Sequence, residues 1–307
     1  MPSAFSSLPE AVRADLTSKS TRWATDINKH RDAVISAYTP VVSAADNQNV
    51  EVTREIQYGA HERHRLDLFV PRDAKLGEIR PVVLFVHGGA FIRGKKSPNG
   101  HIYDNLCYWF ARQGYLAVNM EYRLAADAPY PGGAEDVASA YDWIERSISV
   151  YGGSAKNIFM LGHSAGGSHV ASLVFEPMFK DRVHVAGVVL ISARLRADVL
   201  PGNPNADGVR AYFGEDEALY EARSPMTYAH VNEVPLMIAV AQYENPYLDA
   251  YGAEFFARAT MVRKSPPRFV QVMGHNHTSI VAHFNSGEDD FALEIKAFIE
   301  GVIQGKP

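Results

Sequence analysis

Ser164 sits at the centre of Gly162-His163-Ser164-Ala165-Gly166, behind the apolar run at 157–161 and ahead of a helix-like stretch at 165–175. A serine hydroxyl is a poor nucleophile until a neighbouring base takes its proton. The small flanking residues suit a sharp strand-to-helix turn that holds the serine in strained backbone geometry, the arrangement called a nucleophile elbow. A second motif, His87-Gly88-Gly89-Ala90-Phe91, directly follows the apolar run 82–86. Glycines there let backbone amides converge on one spot, where they could stabilise the anion that forms on an attacked carbonyl oxygen. The amides expected to do this are those of Gly88, Gly89 or Ala90 together with that of Ala165. His87 itself reads as a residue that braces the loop. The chemistry implied is acyl transfer through a covalent serine intermediate.

The elements around these motifs must put them on one surface. Short continuous apolar runs at 82–86, 116–120, 158–161, 185–191, 236–241 and 269–273 suit strands buried on both faces of a parallel sheet. Helix-length stretches at 102–112, 134–150, 165–175, 248–261 and 291–303 lie between them, so the alternation predicts right-handed crossovers and a doubly wound α/β sheet. Ahead of these, 52–58 and 65–70 alternate polar and apolar residues and read as an antiparallel hairpin. Residues 8–38 carry helical spacing that Pro40 is expected to stop, so 1–45 forms a helical N-terminal arm and 46–307 the catalytic domain. The segment 192–233 breaks the alternation with several Pro and Gly and no clear strand, and a connection that long usually does functional work. We read it as a cap insertion that roofs the site together with the arm.

His87-Gly88-Gly89-Ala90-Phe91, Glu121-Tyr122-Arg123-Leu124-Ala125, Tyr130 to Val137 and Gly162-His163-Ser164-Ala165-Gly166-Gly167 resemble, in order and spacing, the hormone-sensitive-lipase-like esterases of the α/β-hydrolase superfamily. Four ordered motifs are far more specific than one, and they cover roughly residues 80 to 280. The resemblance implies an eight-stranded, mostly parallel sheet with a helical cap, carboxylic ester hydrolysis, and no metal or cofactor. The chain departs from that family in having Ala90 where a third glycine is usual, and glutamate rather than aspartate as the expected acid.

In this architecture the acid and base follow the serine in that order. The acid is expected just beyond the strand at 236–241, where Glu244 and Asp249 compete. Glu244 lies at the rigid strand end and Asp249 in the next helix, which favours Glu244. The base is expected after the strand at 269–273, where Gly274-His275-Asn276-His277 offers two histidines in one loop. The family's spacing of glycine, two residues and histidine selects His277 over His275, and Thr278-Ser279-Ile280 could begin a helix that anchors it. Phe91, Tyr122, Phe213 and Tyr247 are the expected lining of a pocket for a short or aromatic ester.

The triad defines acyl transfer and leaves the acyl group open. The first expectation is a carboxylesterase on small esters. The Glu244-Asn245-Pro246 and His275-Asn276-His277 segments also resemble those of arylformamidases, and lactone or carbamate hydrolysis uses the same machinery. A non-catalytic small-molecule-binding protein on the same fold is the alternative of another class.

Composition narrows the partners. With 30 basic and 35 acidic side chains mixed along the chain, the net charge of -5 offers no basic stripe for nucleic acid. Cys107 is the only cysteine, so no internal disulfide forms. No apolar run approaches the roughly 20 residues of a membrane span, and Met1 to Phe5 lack the pattern of a signal peptide. A cytoplasmic protein is expected. The expected partner is a small ester or amide, and a homodimer is compatible with the sequence.

Overall fold

Strand β3 (Arg80–Val86) shows how the core is divided. Successive side chains of a strand point to opposite faces. Val82, Leu84 and Val86 accordingly join the apolar layer on one face, and Val83 and Phe85 the layer on the other. With both faces apolar, the strand has to be sandwiched between helices. The computed structural model describes residues 4–73 and 79–305. Residues 1–3 of the expected N-terminal arm, and 306–307 of the expected catalytic domain, lie outside them.

Eight strands form one sheet in the order β1-β2-β4-β3-β5-β6-β7-β8. The strands β1 (Val50–Gln57) and β2 (Arg65–Pro71) make the antiparallel hairpin, and β2 also runs antiparallel to β4 (Leu116–Met120). From β4 onward the pairing through β3, β5 (Gly153–His163), β6 (Gly187–Ile191), β7 (Leu236–Tyr243) and β8 (Arg268–Asn276) is parallel. Helices α4 (Gly132–Ser147), α5 (Ala165–Phe175) and α7 (Leu248–Thr260) pack on the face of Leu84. Helices α3 (Asp104–Arg112) and α9 (Asp290–Ile303) pack on the face of Phe85. The doubly wound architecture expected from the alternation is therefore present. Among the described residues, no helix is long and apolar enough to cross a membrane.

Helices α1 (Glu10–Ser20) and α2 (Ile27–Ser43) precede the hairpin. They make an apolar cluster of Phe5, Leu16, Trp23, Val34 and Tyr38 that reaches Ile102 and Ala282 of the main body. Buried Glu288 ties this layer down: its carboxylate accepts from the Phe5 amide at 3.0 Å, the Ser7 amide at 3.1 Å and the Tyr38 hydroxyl at 3.0 Å. The helix was expected to stop at Pro40, and instead continues to Ser43. Pro40 lies in the last turn and removes a single amide donor there, while the Thr39 hydroxyl caps the Ile35 carbonyl at 2.6 Å and Ala44 still donates to the Pro40 carbonyl at 3.2 Å.

The segment 192–233 contains helix α6 (Ala206–Phe213) and two short 3-10 turns. A buried pair of Arg194 with Asp198 at 3.1 Å holds its start, and Asp198 also accepts from the Tyr251 hydroxyl of α7 at 2.8 Å. Short helices α8 (Ser279–Ala282) and α9 complete the chain.

Leu84 is fully buried and flanked in register by Val118 and Met160. Leu84→Ala should lower unfolding stability by about 2–5 kcal/mol through lost transfer energy and a residual cavity. Urea titration followed by circular dichroism would read this as a lower midpoint with an unchanged slope.

Candidate active site

Parallel strands deliver their ends to one edge of a sheet, and Ser164, Glu244 and His277 follow β5, β7 and β8 at that edge. Ser164 stands between strand and helix with φ 54 and ψ -118, a conformation that L-residues rarely adopt. Two backbone bonds fix this turn: the Ser164 amide donates to the Ile191 carbonyl at 3.0 Å and the Arg194 amide to the Ser164 carbonyl at 3.1 Å. The crossing is tight, since a Cβ on Gly166 would come within 2.2 Å of the Val86 carbonyl oxygen and 2.4 Å of that of His87. The serine is thereby held against the end of β3.

The His277 Nε2 lies 3.0 Å from the Ser164 Oγ, and its Nδ1 lies 2.7 Å from a Glu244 carboxylate oxygen. A carboxylate accepts only, so Nδ1 carries a proton and Nε2 of the neutral ring is free to accept from the serine. Neighbouring strands set this contact, because Tyr243 of β7 pairs with Asn276 of β8 and the His277 amide donates to the Tyr243 carbonyl at 3.1 Å. The Asn276 side chain then caps α8 by accepting from the Thr278 and Ser279 amides at 3.1 Å and 2.9 Å.

Glu244 is almost wholly buried and fully bonded. Besides His277 it accepts from the Ser192 hydroxyl, from the Ala241 amide at 2.9 Å and from the Asn245 amide at 3.1 Å. Burial pushes its carboxyl up, but the charge and hydrogen bond of His277, with the Ser192 hydroxyl and Ala241 amide, outweigh that and hold it below the usual 4.5. The competing residues are elsewhere. Asp249 lies in the first turn of α7, and His275 faces Ser279 Oγ at 3.1 Å and the ring of His283.

The loop after β3 is braced from beneath. His87 places Nδ1 2.7 Å from the Gly88 carbonyl and Nε2 2.7 Å from Glu121, whose carboxylate also accepts from Arg63 at 2.5 Å and the Lys96 amide at 3.1 Å. Burial raises the Glu121 carboxyl, and the hydrogen bond and charge of His87 with the charge of Arg63 overcome it, leaving it below its ordinary value. A Cβ on Gly88 would come within 3.0 Å of both Ser164 Cβ and His163 Nδ1, which places the loop against the serine. Ala90 and Phe91 follow with φ 51 and 68. Among the described residues, the amides of Gly89 and Ala90 reach no acceptor, and that of Ala165 opens α5 where no helical acceptor exists. The Gly88 amide differs in facing the Tyr103 hydroxyl.

The cleft over Ser164 has a volume of about 370 Å³ and is lined by Gly88, Gly89, Ala90, Tyr103, His163 and His277 on its floor. Its walls include Trp23, Ile27 and Ile35 from the N-terminal helices and Asn205 from just before α6. The four aromatics expected to line it do not. Phe91 stacks on Tyr212 at 4.7 Å and meets Phe213 edge-on at 5.3 Å in a buried cluster. Tyr122 is buried against His87 and donates to its carbonyl at 2.9 Å, and Tyr247 donates to the Pro201 carbonyl. Ala90 and Phe91 both have left-handed backbone, and the Phe91 ring lies in this buried cluster rather than in the cleft.

At the level of whole structures, the fold matches Esterase B from Lactobacillus rhamnosis at 21% identity with a TM-score of 0.71, covering 97% of both chains. The bacterial heroin esterase matches at 21% identity with a TM-score of 0.70, over 91% of this chain and 93% of that one. The chain has the α/β-hydrolase fold. A family model, BD-FAE, matches residues 66–178 of this chain, from β2 through α5. By sequence it is 31% identical over 131 residues to the probable isoprenylcysteine alpha-carbonyl methylesterase ICME of Oryza sativa subsp. japonica, over 43% of this chain and 30% of that protein. It is 30% identical over 149 residues to Carboxylesterase 1D of Mus musculus, over 44% of this chain and 26% of that one. The chain thus spans less than a third of the length of those curated relatives.

Sequence reasoning missed several residues at the site. Ser192 bonds Glu244, Tyr103 faces the serine loop with φ 73, and the Trp23 indole donates to the Asn245 side chain at 2.7 Å. Ser192 had a signal, since it directly follows β6 at the same sheet edge as Ser164. Trp23 had none, because its partner is 222 residues away.

The Glu244 carboxyl is held below 4.5, so its ionised form stabilises the fold, fully at pH above the unfolded value of about 4.3. That contribution disappears as pH falls through the lower folded value. Urea titrations of the parent and Glu244→Gln should therefore differ most at pH 7, by about 1–3 kcal/mol, and converge in acid. A difference that grew on acidification would contradict the assigned direction.

Proposed function

We propose that this chain is a carboxylesterase that acts on small esters through an acyl-serine, with Ser164 as nucleophile, His277 as general base and acid, and Glu244 as the orienting carboxylate. One observation carries the reading: the unbroken contact chain from Ser164 Oγ through His277 to buried Glu244, at 3.0 Å and 2.7 Å. Beside it lie unpaired amides at Gly89, Ala90 and Ala165, where an oxyanion would be received. The names of the partial relatives, a methylesterase and a carboxylesterase, support the same class.

In the first step Ser164 Oγ attacks the ester carbonyl carbon while its proton passes to His277 Nε2. The carbonyl oxygen becomes an oxyanion that accepts from those amides, with Gly88 free to join if the Tyr103 hydroxyl turns away. Collapse breaks the bond to the alcohol oxygen, which leaves with the proton from Nε2. Water then attacks the acyl-serine, again giving its proton to Nε2, and the carboxylic acid and the Ser164 hydroxyl are regenerated. Glu244 stays ionised and holds the imidazolium. The N-terminal helices and the 192–233 segment act as the cap, since Trp23, Ile27, Ile35 and Asn205 wall the cleft. A cleft of about 370 Å³ suits a small substrate.

A fluorophosphonate should label Ser164 and no other residue, and Ser164→Ala should abolish labelling and lower p-nitrophenyl acetate turnover by about 10⁴-fold or more. Mass spectrometry of the labelled peptide together with a steady-state assay checks both. Absence of labelling in folded protein would overturn the serine-enzyme reading, while faster deformylation of N-formylkynurenine than ester cleavage would move the substrate class to formamides.

A further inference from the structure

The charge around the cleft runs against that of the chain as a whole. The net charge is -5, yet Arg31, Arg93 and Lys95 all line this one cleft, with Asp32 the only acidic side chain among its lining residues. Asp32 is already engaged, accepting from Arg31 Nε at 3.0 Å and Nη2 at 2.8 Å. Among the described residues, Arg93 and Lys95 have no ion pair and no side-chain hydrogen bond. Arg54, Arg63, Lys96, Arg123 and Arg194 by contrast each pair with an acidic side chain, and Lys95 also borders the neighbouring hollow that holds Glu55, Glu62 and Glu121.

Arg93 is also well placed. Its amide donates to the Gly89 carbonyl at 3.0 Å, closing a turn directly on the loop beside Ser164, and Arg63 clamps the next carbonyl, that of Gly94, at 2.9 Å. The backbone of Arg93 is therefore fixed relative to the reacting atoms while its side chain lies along the cleft wall. Partial burial and the nearby Arg31 charge both push its guanidinium below its ordinary range, although it stays charged. Arg31 has its counter-ion in Asp32, whereas the guanidinium of Arg93 has none among the described residues, and an anion beside Arg93 would supply it. Trp23, Ile27, Ile35, Ile102 and Val281 supply the apolar part of the wall, with Asn205, Asn245 and Thr278 its uncharged polar part.

We infer that the ester cleaved at Ser164 carries a carboxylate, which the guanidinium of Arg93 receives at the cleft rim with Lys95 adding to the field, while an apolar linker crosses the wall of isoleucines. The inference rests on the esterase reading and names its substrate class. A guanidinium presents two parallel N–H donors that match a carboxylate, so the recognition is geometric as well as electrostatic. The carboxylate can be on the acyl or the alcohol side of the ester, and the two sides are separated by experiment.

The test compares matched pairs of probes. On the acyl side, p-nitrophenyl hydrogen glutarate is set against p-nitrophenyl valerate, and on the alcohol side 4-acetoxybenzoate against its methyl ester. At least one anionic ester should exceed its neutral partner in kcat/KM by about tenfold, the worth of one charge-assisted hydrogen bond. That anionic-to-neutral ratio should collapse toward one in Arg93→Gln, mainly through KM, be restored only in part in Arg93→Lys, which returns the charge without the paired donors, and shrink as salt is raised. A ratio at or below one for both pairs, or a ratio unchanged in Arg93→Gln, would overturn the inference. Calorimetric titration of the same esters into Ser164→Ala reads affinity without turnover. If the parent cleaves none of the probes and is not labelled by a fluorophosphonate, the esterase reading fails, and the titration still decides whether Arg93 selects the anion.

Discussion

Burying a carboxylate in a protein is costly unless every lone pair is used, and Glu244 meets that cost at the point where three pieces of chain converge. It accepts from the amides of its own turn at Ala241 and Asn245, from Ser192 directly after β6, and from His277 after β8. Each donor is at the same edge of the sheet, so the carboxylate can be satisfied only when β6, β7 and β8 are in register. The orientation of His277 toward Ser164 is a consequence of that satisfaction. A buried acid that needs four partners fixes the imbedded imidazole more firmly than packing alone would.

The other half of the site depends on a second buried acid. Glu121 holds His87 and Arg63, and Arg63 in turn holds the carbonyls of Tyr122 and Gly94. The loop from Gly88 to Gly94 is thus gripped at both ends from below, which leaves the amides of Gly89 and Ala90 directed away from the protein's own acceptors. Unpaired amides are normally avoided in a folded protein. Their retention here, beside a serine in a strained turn, is the kind of local cost that a functional site carries and the surrounding network sustains.

Much of this was legible in the sequence because it is local or follows from chain order. The run-and-helix alternation gives the parallel sheet, strand ends give the edge, and motifs at strand ends give Ser164, Glu244 and His277, which the fold brings within hydrogen-bond distance. The aromatic pocket was misread because the Phe91 ring, on left-handed backbone at Ala90 and Phe91, lies in a buried cluster with Tyr212 and Phe213, which composition does not reveal. Pro40 was misread because its effect depends on where in the helix it falls. The contacts of Trp23 with Asn245 and of Phe5 with Glu288 span 222 and 283 residues, and no periodic signal encodes such pairings.

Those long-range contacts change how the N-terminal helices should be regarded. Trp23 bonds Asn245, the residue after the buried acid, and Asn276 next to His277 donates to Ser20 of α1 at 2.9 Å. Glu288 gathers Phe5, Ser7 and Tyr38 at the far side of the same layer. The arm therefore touches the neighbours of both Glu244 and His277 while also walling the cleft with Trp23, Ile27, Arg31 and Ile35. A segment that only shielded the cleft would have no need to bond the turns that carry Glu244 and His277. Because it does both, the elements that shape the cleft and those that align Glu244 and His277 are mechanically one layer, and a change in the packing of α1 and α2 reaches both at once.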